Sequence, residues 1–199
     1  IEEITFNDYG NNAEIFWEKT KDHDVDQNYA AFLEPFKGRK SLDILDFGCG
    51  PGRDLIYFKS LGHNPVGLDG TKEFCQMAKD NSDCPILCQS FNDLKLEDNI
   101  FDGIFANASL FHVPSKNLSK VLKDLHNALR PNGILFTSNP RGDQEGWSTP
   151  ERYGNFMQFD QSSNYLKDAG FEIIDHYYRP SGLERKDQKW LAMVNRALK

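Results

Sequence analysis

The stretch Leu42–Asp54, LDILDFGCGPGRD, most restricts what this chain can fold into. Its first half is a short apolar run of the kind that forms a buried strand. Its second half places glycines at 48, 50 and 52 and runs straight into the helical pattern RDLIYFKSLG. Such a strand–turn–helix opens an α/β unit, and the segments that follow repeat the rhythm. NPVGLD reads as a second strand and TKEFCQMAKDN as a helix started by Thr71. CPILCQ and FDGIFANA read as a third and a fourth strand, and SKNLSKVLKDLHNAL as a helix with Leu118, Val121, Leu122, Leu125 and Leu129 on one face. RPNG turns into a fifth strand, ILFTSN. Short connections between alternating elements imply parallel strands joined by right-handed crossovers, with helices on both faces. One more helix, QSSNYLKDAG, precedes FEIIDHYY and KWLAMVNRAL, which the brief RPSGLERKDQ joins as an antiparallel pair at the sheet edge.

The expected fold is therefore α/β, with a Rossmann-like, mostly parallel seven-stranded sheet and an antiparallel C-terminal strand pair. All 199 residues read as one domain. Residues 1–40 form an N-terminal helical cap, read as two helices broken near Asp22–Asp26, with order expected beyond about the first dozen residues. Residues 41–138 form the ligand-binding core, 139–160 a lid, and 161–199 the last helix and strand pair.

In an open α/β sheet, ligands bind at the carboxyl ends of the strands, where the strand order reverses. The glycine loop is the expected contact, and the helix beginning near Arg53 offers N–H groups to an anion. The spacing discriminates between ligands. A dinucleotide fingerprint has its third glycine three residues after the second, whereas Gly52 follows Gly50 by two. Asp46, two residues before Gly48, suits a ligand with a cationic amino group and would repel a pyrophosphate. Asp69 ends the second strand, where a carboxylate accepts hydrogen bonds from ribose hydroxyls.

At these residues the chain resembles the class I S-adenosylmethionine-dependent methyltransferases, and among them small stand-alone enzymes such as the tellurite-resistance type. LDILDFGCGPGRD and VGLDGT are similar to the family's first two motifs; FDGIFANASLFHVP and LRPNGILF are similar to its segments around strands four and five. The resemblance implies that S-adenosyl-L-methionine is the cofactor. Asp46, Gly48, Cys49, Gly50, Gly52 and Arg53 would surround its amino-acid end, and Asp69 and Gly70 its ribose. Ser90 stands where many members carry an acidic residue against the adenine amino group, so adenine recognition falls to Ser90, Phe91 and local backbone. Asn107, Ala108 and Leu110 would line the methionine arm, and Tyr9 resembles an N-terminal tyrosine that covers the cofactor. His112, with Asn107, is the candidate catalytic residue; a packed, hydrogen-bonded histidine is the other reading of His112.

The acceptor wall falls to the loops outside this core. SNPRGDQEGWSTPERYGNF leaves strand five on the cofactor edge, so its Arg141-Gly142-Asp143 reads as part of a lid rather than an adhesion signal. Arg141, Arg152 and Arg179 there could pair with a carboxylate, and Trp147 and Tyr153 could exclude water. The expected reaction is methyl transfer to a small-molecule acceptor, which could bear a carboxylate. Methylation of a protein or RNA, or cofactor binding without catalysis, are the alternatives. A net charge of −7 opposes nonspecific nucleic-acid binding. Four cysteines without metal-type pairing, no metal site, no membrane-length apolar run and no signal-peptide pattern point to a cytoplasmic protein of undetermined oligomeric state.

Overall fold

The computed structural model describes residues 1–199. Seven strands form one sheet: β1 (Asp43–Phe47), β2 (Asn64–Asp69), β3 (Ile86–Cys88), β4 (Phe101–Asn107), β5 (Leu129–Pro140), β8 (Phe171–Arg179) and β9 (Trp190–Ala197). Their spatial order is β3-β2-β1-β4-β5-β9-β8. The first five are parallel, and β9 runs antiparallel between β5 and β8. The C-terminal pair therefore enters with its last strand innermost. The chain steps outward from β1 in both directions, and the crevice this leaves between the β1 and β4 tips is where a ligand can seat.

Alternation along each strand divides the core. Leu45 and Phe47 of β1 join a cluster closed by α6 (Ser115–Ala128) and α7 (Phe159–Asp168). Ile44 faces the other way, with Phe58 of α4 (Arg53–Ser60) and Tyr29 and Phe32 of α3 (Asp26–Leu33). The i, i+2 relation puts Asp46 on this second face, under α4. Helix α5 (Lys72–Ser82) packs on α4 through Ala78 and Leu55.

Three readings of the sequence change. The N-terminal cap holds three helices instead of two, because the chain also breaks at Asn12, between α1 (Glu2–Asn11) and α2 (Ala13–Thr20). The first dozen residues are thus helical, with α1 lying on α5. The RPNG turn is a kink within β5, made by Asn132 at φ 61°, rather than a break before it. Residues 139–160 contain a hairpin, β6 (Glu145–Trp147) with β7 (Tyr153–Asn155), which sequence pattern did not reveal because its strands are three residues long.

Candidate active site

The loop after β1 is built around positions that reject a side chain. Gly48 has φ +81°, and a Cβ there would stand 2.3 Å from the Ser109 Cβ. Gly52, at φ +100° and capping α4, would press a Cβ to 3.0 Å from the Ala78 Cα. Strand β2 holds the loop in place: the Leu68 carbonyl accepts from Gly48 N at 2.7 Å and from Cys49 N at 3.1 Å. Asp69 completes the anchor, taking Gly50 N–H on Oδ2 at 3.0 Å and Thr71 N–H on Oδ1 at 2.8 Å. Thr71 makes no side-chain cap to α5; Asp69 serves the helix start as well as the loop.

A cavity of ≈ 580 Å³ opens over this loop. Gly48, Cys49, Gly50, Arg53, Asp69, Phe91, Asn107, Ala108, His112 and Arg179 line it from the carboxyl ends of the strands and the segments that follow them, and Tyr9 lines it from α1. Asp46 lies beneath, 1% exposed, with Oδ2 enclosed and without a hydrogen-bond partner. Burial pushes its carboxyl well above the usual range, reinforced by the Asp54 and Asp69 carboxylates and offset by the Arg53 guanidinium. Arg53 is itself committed: Nε and Nη2 hold Asp54 at 2.7 and 3.0 Å, and Nη1 donates to the Thr20 carbonyl at 3.1 Å.

His112 is a half-buried residue in the cavity wall whose two nitrogens have assigned duties. Nδ1 lies 2.8 Å from the Tyr153 carbonyl, which can only accept, so Nδ1 carries the proton. Nε2 therefore accepts from the Tyr9 hydroxyl at 3.0 Å. Burial pushes the imidazole down to about 4, the Tyr153 bond opposing it and Arg152 adding to it. The folded chain thus binds fewer protons than the unfolded chain between about pH 6.5 and 4, so this contribution to stability is lost as pH falls through that window. His63 and His126 are lowered by burial too, so the comparison with a variant is the informative one. His112→Gln is expected to flatten part of the acid loss of stability in denaturant titrations; coincident wild-type and variant profiles would contradict a neutral His112.

Several residues anticipated in the site stand outside the cavity. Gly70 is covered by Phe6, and Leu110 is buried in the core below. Ser90 donates its hydroxyl proton to Glu2 Oε1 at 2.6 Å, so the carboxylate that reaches this corner comes from α1. Arg141 is a structural tie, with Nε on the Gln188 carbonyl at 2.6 Å, Nη1 on Gln158 Oε1 at 3.0 Å and Nη2 on the Arg185 carbonyl. Arg152 binds Asp8 at 2.6 Å and lies over the Tyr9 ring, buttressing the wall from behind. Tyr153 donates to Glu145, and Trp147 is 45% exposed on the hairpin. The hairpin thus braces His112 through one backbone carbonyl rather than facing the ligand. Arg141→Ala is expected to lower stability by about 1–2 kcal/mol, since three partners lose a donor. Its affinity for S-adenosylhomocysteine should stay within twofold of wild type by calorimetry.

The cavity also draws on residues that carried no motif. Phe16, Trp17 and Thr20 of α2, Asp24 of the following loop, and Pro180 and Trp190 of the β8–β9 corner all line it. Arg179 reaches back across this end, its Nη2 donating to the Asp24 carbonyl at 3.0 Å. An apolar spacing in α2 was visible, but nothing local to it says which face meets a cavity.

A seven-stranded sheet of this order with a glycine-rich first turn defines the class I methyltransferase fold. Residues 45–137 match the family described as "Methyltransferase domain". A malonyl-[acyl-carrier protein] O-methyltransferase from Salmonella typhimurium is 27% identical over 151 residues, 75% of this chain and 57% of the relative. The chain spans about half or less of the length of the curated relatives it matches. Among solved structures, the Burkholderia thailandensis 1,6-didemethyltoxoflavin-N1-methyltransferase, crystallised with 1,6-didemethyltoxoflavin and S-adenosylhomocysteine, superposes with a TM-score of 0.79 at 22% identity, covering 100% of this chain and 89% of that one. A TehB-like methyltransferase from Corynebacterium glutamicum gives 0.74 at 18% identity, covering 97% and 100%. Residues 45–137 therefore match a methyltransferase domain, carried on a fold shared with solved S-adenosylmethionine-dependent methyltransferases.

Proposed function

We propose that the protein transfers the methyl group of S-adenosylmethionine to a small-molecule acceptor. The observation that carries this reading is the orphaned Asp46 carboxylate under a glycine loop with no room for a Cβ at Gly48. That pairing fits a ligand with a cationic amino group, and the continuous cavity extends from it in both directions along the sheet edge. Toward β2 and β3, Asp69 would accept from ribose hydroxyls and Phe91, Thr71 and Glu2 would surround the base. Toward β9 and β8 the same cavity is lined by Trp17, Pro180, Trp190 and Arg179.

When bound, the cofactor supplies an activated methyl on a positive sulfur, so the chain's own task is alignment and exclusion of water. Phe16, which reaches within 3.7 Å of a Cβ position on Gly50, and the Tyr9–His112 pair supply the cover. His112, which burial keeps neutral, accepts from the Tyr9 hydroxyl and holds that ring in place on the cavity wall. Arg53 and Arg179 are the cations lining the cavity, and Arg53 is neutralised by Asp54. A carboxylate-bearing acceptor would therefore be read by Arg179 alone, a narrower site than a wall of arginines. The bound 1,6-didemethyltoxoflavin of the Burkholderia enzyme supports this class of acceptor here. The four cysteines are free thiols, and no helix is long and apolar enough to cross a membrane, which supports a reducing, cytoplasmic setting.

Calorimetry should show S-adenosylhomocysteine binding and no binding of NAD. Incubation with methyl-labelled cofactor and cell extract should place label in small-molecule fractions. Label in protein or RNA would overturn the acceptor class, and equal turnover of carboxylate metabolites and their esters would remove the role of Arg179.

A further inference from the structure

Asn28, on α3, is completely buried, and both ends of its amide are in use. Its Nδ2 donates to Asn107 Oδ1 at 3.0 Å, and its Oδ1 accepts from the Tyr177 hydroxyl at 2.8 Å. This chain of three side chains runs from β8 through the helical cap to the tip of β4. An amide has one accepting end and one donating end. With Asn107 Oδ1 already accepting inside the protein, its N–H₂ is the end left for the cavity that Asn107 lines. The Tyr177 proton faces Asn28 Oδ1 at 2.8 Å and the Gln27 carbonyl at 3.3 Å, and the shorter contact supports this polarity of the buried Asn28 amide.

The position of this free donor is also informative. Asp46 pairs with Phe105 across the β1–β4 ladder, and Asn107, which ends β4, lines the same cavity as Gly48. The amide thus stands at the tip of β4, on the strand next to the one that feeds the glycine loop. The nearby Arg53 guanidinium commits three of its five N–H groups to Asp54 and Thr20. A ligand whose amino group goes to Asp46 and which also carries a carboxylate meets the Asn107 N–H₂ as an uncommitted donor.

We propose that Asn28 and Tyr177 are positioning residues that lock the Asn107 amide with its N–H₂ toward the cavity, where it donates to the carboxylate of the cofactor's methionine arm. This rests on the cofactor reading above. Asn28→Asp offers acceptor oxygens to both neighbours, so Asn107 must turn and present its Oδ1 to the cavity. Asn28→Leu removes the lock without adding charge, and Tyr177→Phe removes its outer member.

The test is calorimetry with two probes, S-adenosylhomocysteine and 5′-methylthioadenosine, which keeps the nucleoside thioether but lacks the amino-acid arm. Asn28→Asp should weaken S-adenosylhomocysteine about tenfold or more, the effect of losing a hydrogen bond to a charged group, while 5′-methylthioadenosine stays within twofold. Asn28→Leu and Tyr177→Phe should show the same selectivity at about threefold. If Asn28→Asp does not fold, these two variants decide alone. Equal weakening of both probes, or no weakening of either, would overturn the positioning role. Wild-type protein that binds neither probe would instead overturn the cofactor reading.

Discussion

Asp46→Asn is expected to make the ligand-free protein more stable and its complex with S-adenosylhomocysteine about 100-fold weaker. Both effects have one cause. The carboxyl is 1% exposed, has an oxygen without a partner, and faces the field of Asp54 and Asp69. Its affinity for a proton is raised in the folded state, so the folded chain binds more protons than the unfolded chain above the ordinary carboxylate range. Stability then falls as pH rises through that range toward the raised value. An amide removes the charge and should flatten this slope, adding about 1–3 kcal/mol at neutral pH. A ligand's ammonium satisfies the same oxygen, and removing one member of such a buried pair costs about 2–5 kcal/mol of binding, hence the large loss of affinity. Urea titrations across pH 4–8 and calorimetry read the two effects. An apo protein destabilised by the change would show that Asp46 serves the fold rather than the ligand.

How much of this could be read in advance depends on how local each cause is. The strand–glycine–helix turn and the Asp46–Asp69 relation were legible because strand ends and tight turns are dictated by near neighbours in sequence. The core followed, since Leu45, Phe47 and the apolar stripe of α6 repeat at the periods their elements require. Arg141 and Arg152 were misplaced as ligand contacts because sequence showed their charge and their loop but not their partners. Gln188 and Asp8 lie 47 and 144 residues away in sequence from the arginines they hold. Asn28 and Trp190 went unremarked for the same reason: neither belongs to a motif, and each acquires its role only when α3 and the β8–β9 corner close over the β4 tip. The short β6–β7 hairpin escaped because three-residue strands carry too little periodicity to register.

Asp69→Ala should have the largest effect on cofactor affinity, and its pattern across ligands should differ from that of every other substitution considered. The Asp69 carboxylate is buried, and burial raises its carboxyl while hydrogen bonds from Thr71, Gly50 and Gly70 hold it down. Those N–H bonds fix it as an oriented acceptor, with lone pairs left for a ribose diol. Alanine deletes the ribose contacts, each worth about 1.5–3 kcal/mol when made to a charged group, and releases the Gly50 and Thr71 N–H groups that shape the loop. Affinity for S-adenosylhomocysteine should fall by roughly 100- to 1,000-fold. Because the ribose is common to both probes, 5′-methylthioadenosine should lose as much, in contrast to its indifference to Asn28. Asp69→Asn isolates the two duties: its single accepting oxygen can serve Gly50 or Thr71, but not both, and its N–H₂ then opposes the remaining donor. That variant should lose stability nearly as alanine does while keeping a larger share of binding. Equal, small losses in both variants with unchanged melting would show that the loop stands without Asp69, and that the ribose is held elsewhere.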